Sequence, residues 1–297
     1  MGSVSANVSS SPSSASRSQS EGVRLAAAMI TAGADIKSVY HAAAPYNEQV
    51  ETKPLVRAVL FDLDDTLFDH KFGARAALSR VHAMHTCFER WAFDAFEKAH
   101  ADHLEALHQR VVAGEIDIDS ARLERFRRLF SAADVDAGDE LLRATAAAYR
   151  ECYLASRRPV DGALDLLAAL KPRVRIAVVS NNLLQEQQDK VRLCGFEPFL
   201  DALVVSEEAG VAKPDPEIFA IALARLGCDP AGAVMIGDAW ENDIRGARAA
   251  GVRCIWFNPG GRRMPQATSD VRELRSFEPV STALAAIFDP AFQCASA

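Results

Sequence analysis

Four short stretches of this 297-residue chain bring acids, amides, a hydroxyl and a lysine to the ends of apolar runs. Asp62-Leu63-Asp64-Asp65-Thr66 closes the run that starts at Val56, and Ser180-Asn181-Asn182 closes Val174 to Ser180. Lys213-Pro214 follows the run Ala202 to Ser206. Gly237-Asp238 closes Ala233 to Gly237, with Asp243 a few residues on. A carboxylate can attack an electrophile, carry a proton or hold a hard cation. A hydroxyl, backbone N–H groups and an ammonium can host an oxyanion. Taken singly, each stretch has a plainer explanation. Asp-x-Asp and Gly-Asp are common in turns, Ser180 can cap a helix, and Lys213 can be a solvated loop charge. Their occurrence together, in order and beside apolar runs, points to one site.

The elements that must position these residues follow from the runs themselves. Val56 to Leu63, Val174 to Ser180, Ala202 to Ser206, Ala233 to Gly237 and Arg253 to Phe257 have the composition of buried parallel strands. Helical patterns separate the later ones. Pro216 and Gly227 bracket a helix over Glu217 to Leu226, and Gly251 stops another over Glu241 to Ala250. Strands alternating with helices predict an α/β fold, a Rossmann-like doubly wound parallel sheet. In such a sheet ligands bind outside the carboxyl ends of the strands, where all four stretches lie.

One interval breaks the alternation. Residues 69–158 carry only helix-period segments and form an inserted all-helical subdomain placed as a cap, with residues 54–68 and 159–290 as the core. Phe93, Phe96, His100, Leu104, Leu107 and Val111 mark one helix face that ends at Gly114. Asp119 is the expected cap of the next helix, with Leu123, Phe126 and Phe130 inward, and Leu141 to Tyr153 supplies another.

In order, FDLDDTLFD, VVSNN, AKPDP and IGDAWENDI resemble the four motifs of the haloacid dehalogenase-like (HAD) hydrolases, and the helical insert resembles their type 1 cap. The similarity spans roughly residues 56–288. It implies that Asp62 is the nucleophile, forming an aspartyl-phosphate. Asp64 would protonate the leaving group and then activate water. Lys213 would neutralise charge, while Ser180 and Asn181 bind the phosphoryl oxygens. Mg²⁺ would be held by Asp62, the backbone carbonyl of Asp64 and Asp238, with Asp243 supporting it from behind. A 2-haloacid dehalogenase would lack the second acid that Asp64 supplies, and a scaffold protein would be expected to lack the nucleophile or lysine. A phosphomutase needs the same residues and stays open.

The stretch Ser206 to Pro214, with Gly114-Glu115-Ile116 and Arg125-Phe126, resembles noncanonical pyrimidine 5'-nucleotidases, and the cap and fourth motif are similar to N-acylneuraminate-9-phosphatases. A nucleoside 5'-monophosphate is the first substrate expectation and a sugar phosphate the alternative. Other conspicuous residues have simpler readings. His82 with His85 and His100 with His103 could bind a metal but read more simply as surface or partly buried positions. Arg125, Arg127 and Arg128 could reach a substrate from the cap, with a solvated helix face the simpler reading. Trp91 and Trp240 read as packing residues, Trp240 inside the fourth motif.

Composition narrows the partners. A net charge of -7 offers no footprint for nucleic acid or an anionic membrane, and no apolar run is long enough to span one. The partner that the resemblance implies is a small phosphorylated metabolite. The 6 cysteines are scattered, as in reduced cytoplasmic proteins. Residues 1–53 form an extension whose serine-rich first part lacks the apolar content to order itself, with a short helix expected over Val23 to Ile30.

Overall fold

The computed structural model describes residues 56–291 other than 267. The N-terminal extension, with the helix expected over Val23 to Ile30, and Cys294 lie outside the described residues. Six parallel strands form one sheet in the order β3-β2-β1-β4-β5-β6. They are β1 (Ala58–Phe61), β2 (Arg175–Ser180), β3 (Ala202–Val205), β4 (Ala233–Gly237), β5 (Arg253–Phe257) and β6 (Val271–Leu274). This is the doubly wound order, with the direction of winding reversing beside β1. Five strands were predicted; β6 is the addition, with a mixed Val-Arg-Glu-Leu sequence at the sheet edge.

Helices fill both faces because strand side chains alternate. Val59 and Phe61 of β1 enter one apolar cluster together with α5 (Ala163–Leu170) and α10 (Val280–Phe288). Ala58 and Leu60 enter another with α8 (Pro216–Leu226), and α6 (Leu184–Leu193) and α7 (Ser206–Ala209) complete the crossovers beside β3. Pro216 sits at the first position of α8, and Gly227 ends it in the left-handed region at φ 58°.

Between β1 and α5 come α1 (His70–Met84), α2 (Phe93–Val112), α3 (Ile118–Ala132) and α4 (Asp139–Ala155), with no strand among them. α1 packs on α4, and α2 on α3. The cap of α3 is Asp117, not Asp119: its carboxylate accepts from the N–H groups of Asp119 and Ser120. Phe88, Phe96, Phe126 and Phe130 are buried here, in the apolar cluster that continues through Leu67 and Phe68 to β1.

The predicted continuous helix over Glu241 to Ala250 is two pieces. Trp240–Arg245 is a π-helical turn, and α9 (Gly246–Ala249) follows it. Cys87, Cys152, Cys194, Cys228 and Cys254 are free thiols. Among the described residues no helix is long and apolar enough to cross a membrane.

Candidate active site

Parallel pairing sets the strand ends level. Phe61 is in register with Val178 and Ile236, Ser180 with Val205, and Gly237 with Trp256. Asp62 is tied to this rim by donating its N–H to the Ile236 carbonyl at 2.9 Å. The chain then turns sharply. The Leu63 carbonyl accepts from Thr66, Leu67 and Phe68, and Asp65 takes the left-handed conformation at φ 63°. The Thr66 hydroxyl accepts the Asp238 N–H at 3.1 Å, joining the first and fourth stretches.

Lys213 is the centre of the arrangement. Its Nζ lies 2.6 Å from Asp62 Oδ1, 2.7 Å from Asp243 Oδ1 and 2.8 Å from the Val179 carbonyl, with all four residues buried. Three acceptors satisfy the three N–H bonds of an ammonium. Burial favours neutral lysine, but the two carboxylates overcome it and raise its pKa above the usual range. Asp243 gets its position from the π-helical turn, with Oδ2 accepting the Ala239 N–H at 2.9 Å. A Cβ at position 237 would stand 2.3 Å from Asp243 Oδ2, so only glycine leaves room for this carboxylate.

One oxygen each of Asp62, Asp238 and Asp243 lies within 4.8 Å of the others. Burial pushes the Asp238 carboxyl up to about 6; Lys71 at 3.4 Å opposes this, while Asp243 and Asp65 reinforce it. Burial also raises Asp62 well above the carboxylate range; Lys213 pulls it down, and Asp243 and Asp238 push it up again. The rim therefore carries more negative charge than its lysines neutralise. Such an oxygen-rich, under-compensated site suits a hard divalent cation. Both Asp243 oxygens are already engaged, which leaves Asp62 and Asp238 as the freer donors.

The structure does not bring the Asp64 carboxylate into this group. Its Oδ1 accepts from Lys190 Nζ at 2.6 Å and its Oδ2 from Gln187 Nε2 at 2.9 Å. Burial alone would raise the Asp64 pKa, but Lys190, His70 and Gln187 hold it well below the carboxylate range. Gln187 Nε2 also lies 2.6 Å from Ser180 Oγ, so the hydroxyl accepts there and keeps its own proton to donate. The Asn181 side chain is engaged elsewhere: Nδ2 donates to the Lys213 carbonyl at 2.8 Å, and Oδ1 accepts the Lys213 N–H at 2.7 Å. It fixes the lysine's backbone, which leaves the Asn181 N–H as its means of touching a ligand.

Gln187 and Lys190 escaped sequence analysis. They lie three apart on α6, one turn beyond Asn182, and that spacing was the available signal. The solvated-face reading of Arg125 is also overturned. Arg127 and Arg128 pair with Glu124 at the surface, but Arg125 is only 8% exposed. Ala121, Arg125 and Leu129 share the buried stripe of α3, each four residues from the next. His100, expected at or near the surface, is buried too. Trp240 packs edge-on against Trp256, whose Nε1 donates to the Asp238 carbonyl at 2.9 Å.

A family model described as haloacid dehalogenase-like hydrolase matches residues 56–251. A phosphoserine phosphatase of Thermus thermophilus is 31% identical over 73% of this chain and 95% of its own length. An N-acylneuraminate-9-phosphatase of Mus musculus is 27% identical over 70% and 84%. The pyrimidine 5'-nucleotidase YjjG of Escherichia coli is 38% identical, over 36% of this chain and 48% of its own. The magnesium-bound HAD-hydrolase YfnB of Bacillus subtilis shares the fold at a TM-score of 0.61, with 24% identity over 77% of this chain and 99% of that one. The family match takes in all four stretches at the strand ends, and this protein belongs to the haloacid dehalogenase-like hydrolases.

Proposed function

We infer that this chain is a phosphoric monoester hydrolase that uses Asp62 as a covalent nucleophile on a small phosphorylated metabolite. The observation that carries the reading is the buried Lys213 ammonium bridging Asp62 and Asp243. It holds one Asp62 oxygen in place and leaves the other to attack. As an Asp62 oxygen bonds to phosphorus, the bond to the leaving oxygen breaks and that oxygen takes a proton. Asp64, ionised beside Lys190 before substrate arrives, takes up a proton as the substrate enters, passes it to that oxygen, and then receives one from the water that attacks the aspartyl-phosphate. Release of phosphate regenerates the Asp62 carboxylate. Ser180 Oγ–H and nearby backbone N–H groups stabilise the equatorial oxygens.

Asp62, Asp238 and the Asp64 carbonyl are the proposed Mg²⁺ ligands, with Asp243 placing Lys213. The raised pKa values of Asp62 and Asp238 support this, since both need more positive charge nearby to stay ionised. Bound there, Mg²⁺ would screen the repulsion between the nucleophile and the phosphoryl dianion. Residues 69–158 are proposed as a cap that closes over the rim and selects the leaving group, with residues 54–68 and 159–290 as the catalytic core. Nucleoside 5'-monophosphates remain the first substrate class suggested by the motifs, and sugar phosphates the second. A cytoplasmic location fits the scattered free thiols.

The test is phosphate release from a panel of phosphorylated metabolites with and without Mg²⁺. Activity should vanish with EDTA and return with Mg²⁺. Asp62→Asn should lower turnover by at least about three orders of magnitude while the protein stays folded. Brief reaction and acid quench should trap a hydroxylamine-labile phosphoenzyme in the parent and none in the variant. Full turnover by Asp62→Asn would refute the covalent route, and full activity without metal would refute the Mg²⁺ assignment.

A further inference from the structure

A cavity of about 130 Å³ lies among α2, α3, α4 and α6. Asn182 and Lys190 line it, and both side chains bond to Asp64. A leaving group whose oxygen meets Asp64 would extend into this space.

Its lining is strongly basic. Arg122, Arg125, Arg150 and Lys190 line it, with Glu186 as the one acid of the lining. Lys190 is matched by Asp64, and Arg122 and Arg150 share Glu186 at 2.7 Å and 3.0 Å. Arg125 is matched by nothing: among the described residues it forms no hydrogen bond or ion pair, and its buried Nε has no partner. Its guanidinium instead lies over the rings of Tyr149, at 4.7 Å, and Phe126, at 5.0 Å. Cation–π contact recovers part of the lost hydration but leaves the in-plane N–H donors free. A buried guanidinium of this kind is complete only when an anion joins it.

We propose that Arg125 is a specificity residue for a second anionic group, carried by the leaving group of the phosphomonoester. The proposal rests on the phosphatase reading for its chemistry but not for its anion site, and in ranking a second anion above a neutral nucleoside it replaces the nucleoside 5'-monophosphate preference that the motifs suggested. A carboxylate and a second phosphate both fit a guanidinium fork. The apolar wall of Leu104, Leu107 and Ile118 accommodates the carbon frame between the two anions.

Matched substrates test it on the full chain with Mg²⁺. 6-Phosphogluconate supplies the carboxylate, fructose 1,6-bisphosphate the second phosphate, glucose 6-phosphate neither, and uridine 5'-monophosphate a neutral nucleoside. At least one of the first two should exceed both of the others in kcat/KM by about tenfold or more. Which of the two leads identifies the anion. Arg125→Gln should collapse that ratio toward one, and Arg125→Lys should retain part of it. A packing role would move Tm and all four substrates together. A flat wild-type ranking, or a ratio unmoved by Arg125→Gln, overturns the proposal. A binding arm separates this from failure of the phosphatase chemistry. Gluconate and inorganic phosphate, offered by calorimetry to the Asp62→Asn protein, report the site without turnover. Gluconate should bind more tightly than glucose and lose that advantage in Asp62→Asn/Arg125→Gln. Equal affinity for gluconate and glucose counts against the site even if every phosphate ester is inert.

Discussion

The sheet rim and the helical cavity both bury cations, and they treat them in opposite ways. At the rim, Lys213 has three acceptors for three N–H bonds, two of them carboxylates. In the cavity, Arg125 has aromatic faces and no acceptor among the described residues. The first cation is held as fixed machinery. The second is left with an open valence, which suits a component supplied by the ligand. A buried charge costs several kcal/mol to dehydrate, so it persists only where its partner is built in or arrives. Within one small enzyme, full compensation marks what must not move, and incomplete compensation marks what is to be recognised.

The strongest way to break this contrast is to remove the rim cation. Lys213→Met leaves Asp62 and Asp243 facing each other in a buried site with no ammonium between them. Breaking a buried ion network of this kind typically costs about 3–5 kcal/mol. Denaturation in urea should show a loss of that size, with phosphate release at background. A loss under about 1 kcal/mol would mean that the rim is not a rigid, interdependent unit.

A subtler break keeps every charge. Gly237→Ala places a methyl where the Asp243 carboxylate lies, 2.3 Å from Oδ2. The carboxylate must shift, and with it Lys213 and Asp62. The expected cost is about 1–3 kcal/mol, as for overpacked cores, with a larger proportional fall in kcat than in stability. Unchanged kcat would show that Asp243 tolerates displacement and does not set the lysine.

Much of the rim was legible because strand ends are. An apolar run that stops at Asp62, Ser180 or Gly237 fixes both the element and the edge where the polar residue emerges. What escaped depends on helix rotation and on neighbours. Lys190 sits in α6 among Gln185, Glu186, Gln188, Asp189 and Arg192, where a polar sequence hides which side faces the site. Arg125 stands beside Arg127 and Arg128, whose solvated character masks its own. Its four-residue spacing from Ala121 and Leu129, which puts it on the buried stripe, was the discriminating signal. The π-helical turn at Trp240–Arg245 was illegible for another reason: π turns are rare, and the sequence here reads as the start of an ordinary α-helix. β6 alternates too briefly, over four residues at the edge, to stand out from a loop.

The smallest expected effect sharpens the contrast from the cavity side. His100 is 2% exposed, and its ring lies 5.2 Å from Tyr149 and 6.0 Å from Phe126, the two rings that Arg125 covers. Its Nε2 has no partner, so this imidazole is buried with the same economy as Arg125. Burial first, and then Arg125, His70 and His103, depress its pKa well below the usual value of 6.5. The sign follows directly. Folded His100 stays neutral, whereas in the unfolded chain it takes up a proton below about pH 6.5. Its contribution to stability is therefore fully present above pH 6.5 and is lost as pH falls from there toward the depressed folded value. The slope from one such group is at most about 1.4 kcal/mol per pH unit. His100→Phe removes the titration while keeping a ring against Tyr149 and Phe126. Urea denaturation at pH 7.5, 6.5 and 5.5 should give wild type a steeper decline than the variant, by about 1 kcal/mol over the last interval. The other histidines contribute to both proteins, so the difference between the curves isolates His100. Parallel curves would mean that His100 takes up a proton in the folded protein as readily as in the unfolded chain, beside Arg125. Two buried cations side by side would then require a resident anion, and the cavity would no longer differ from the rim.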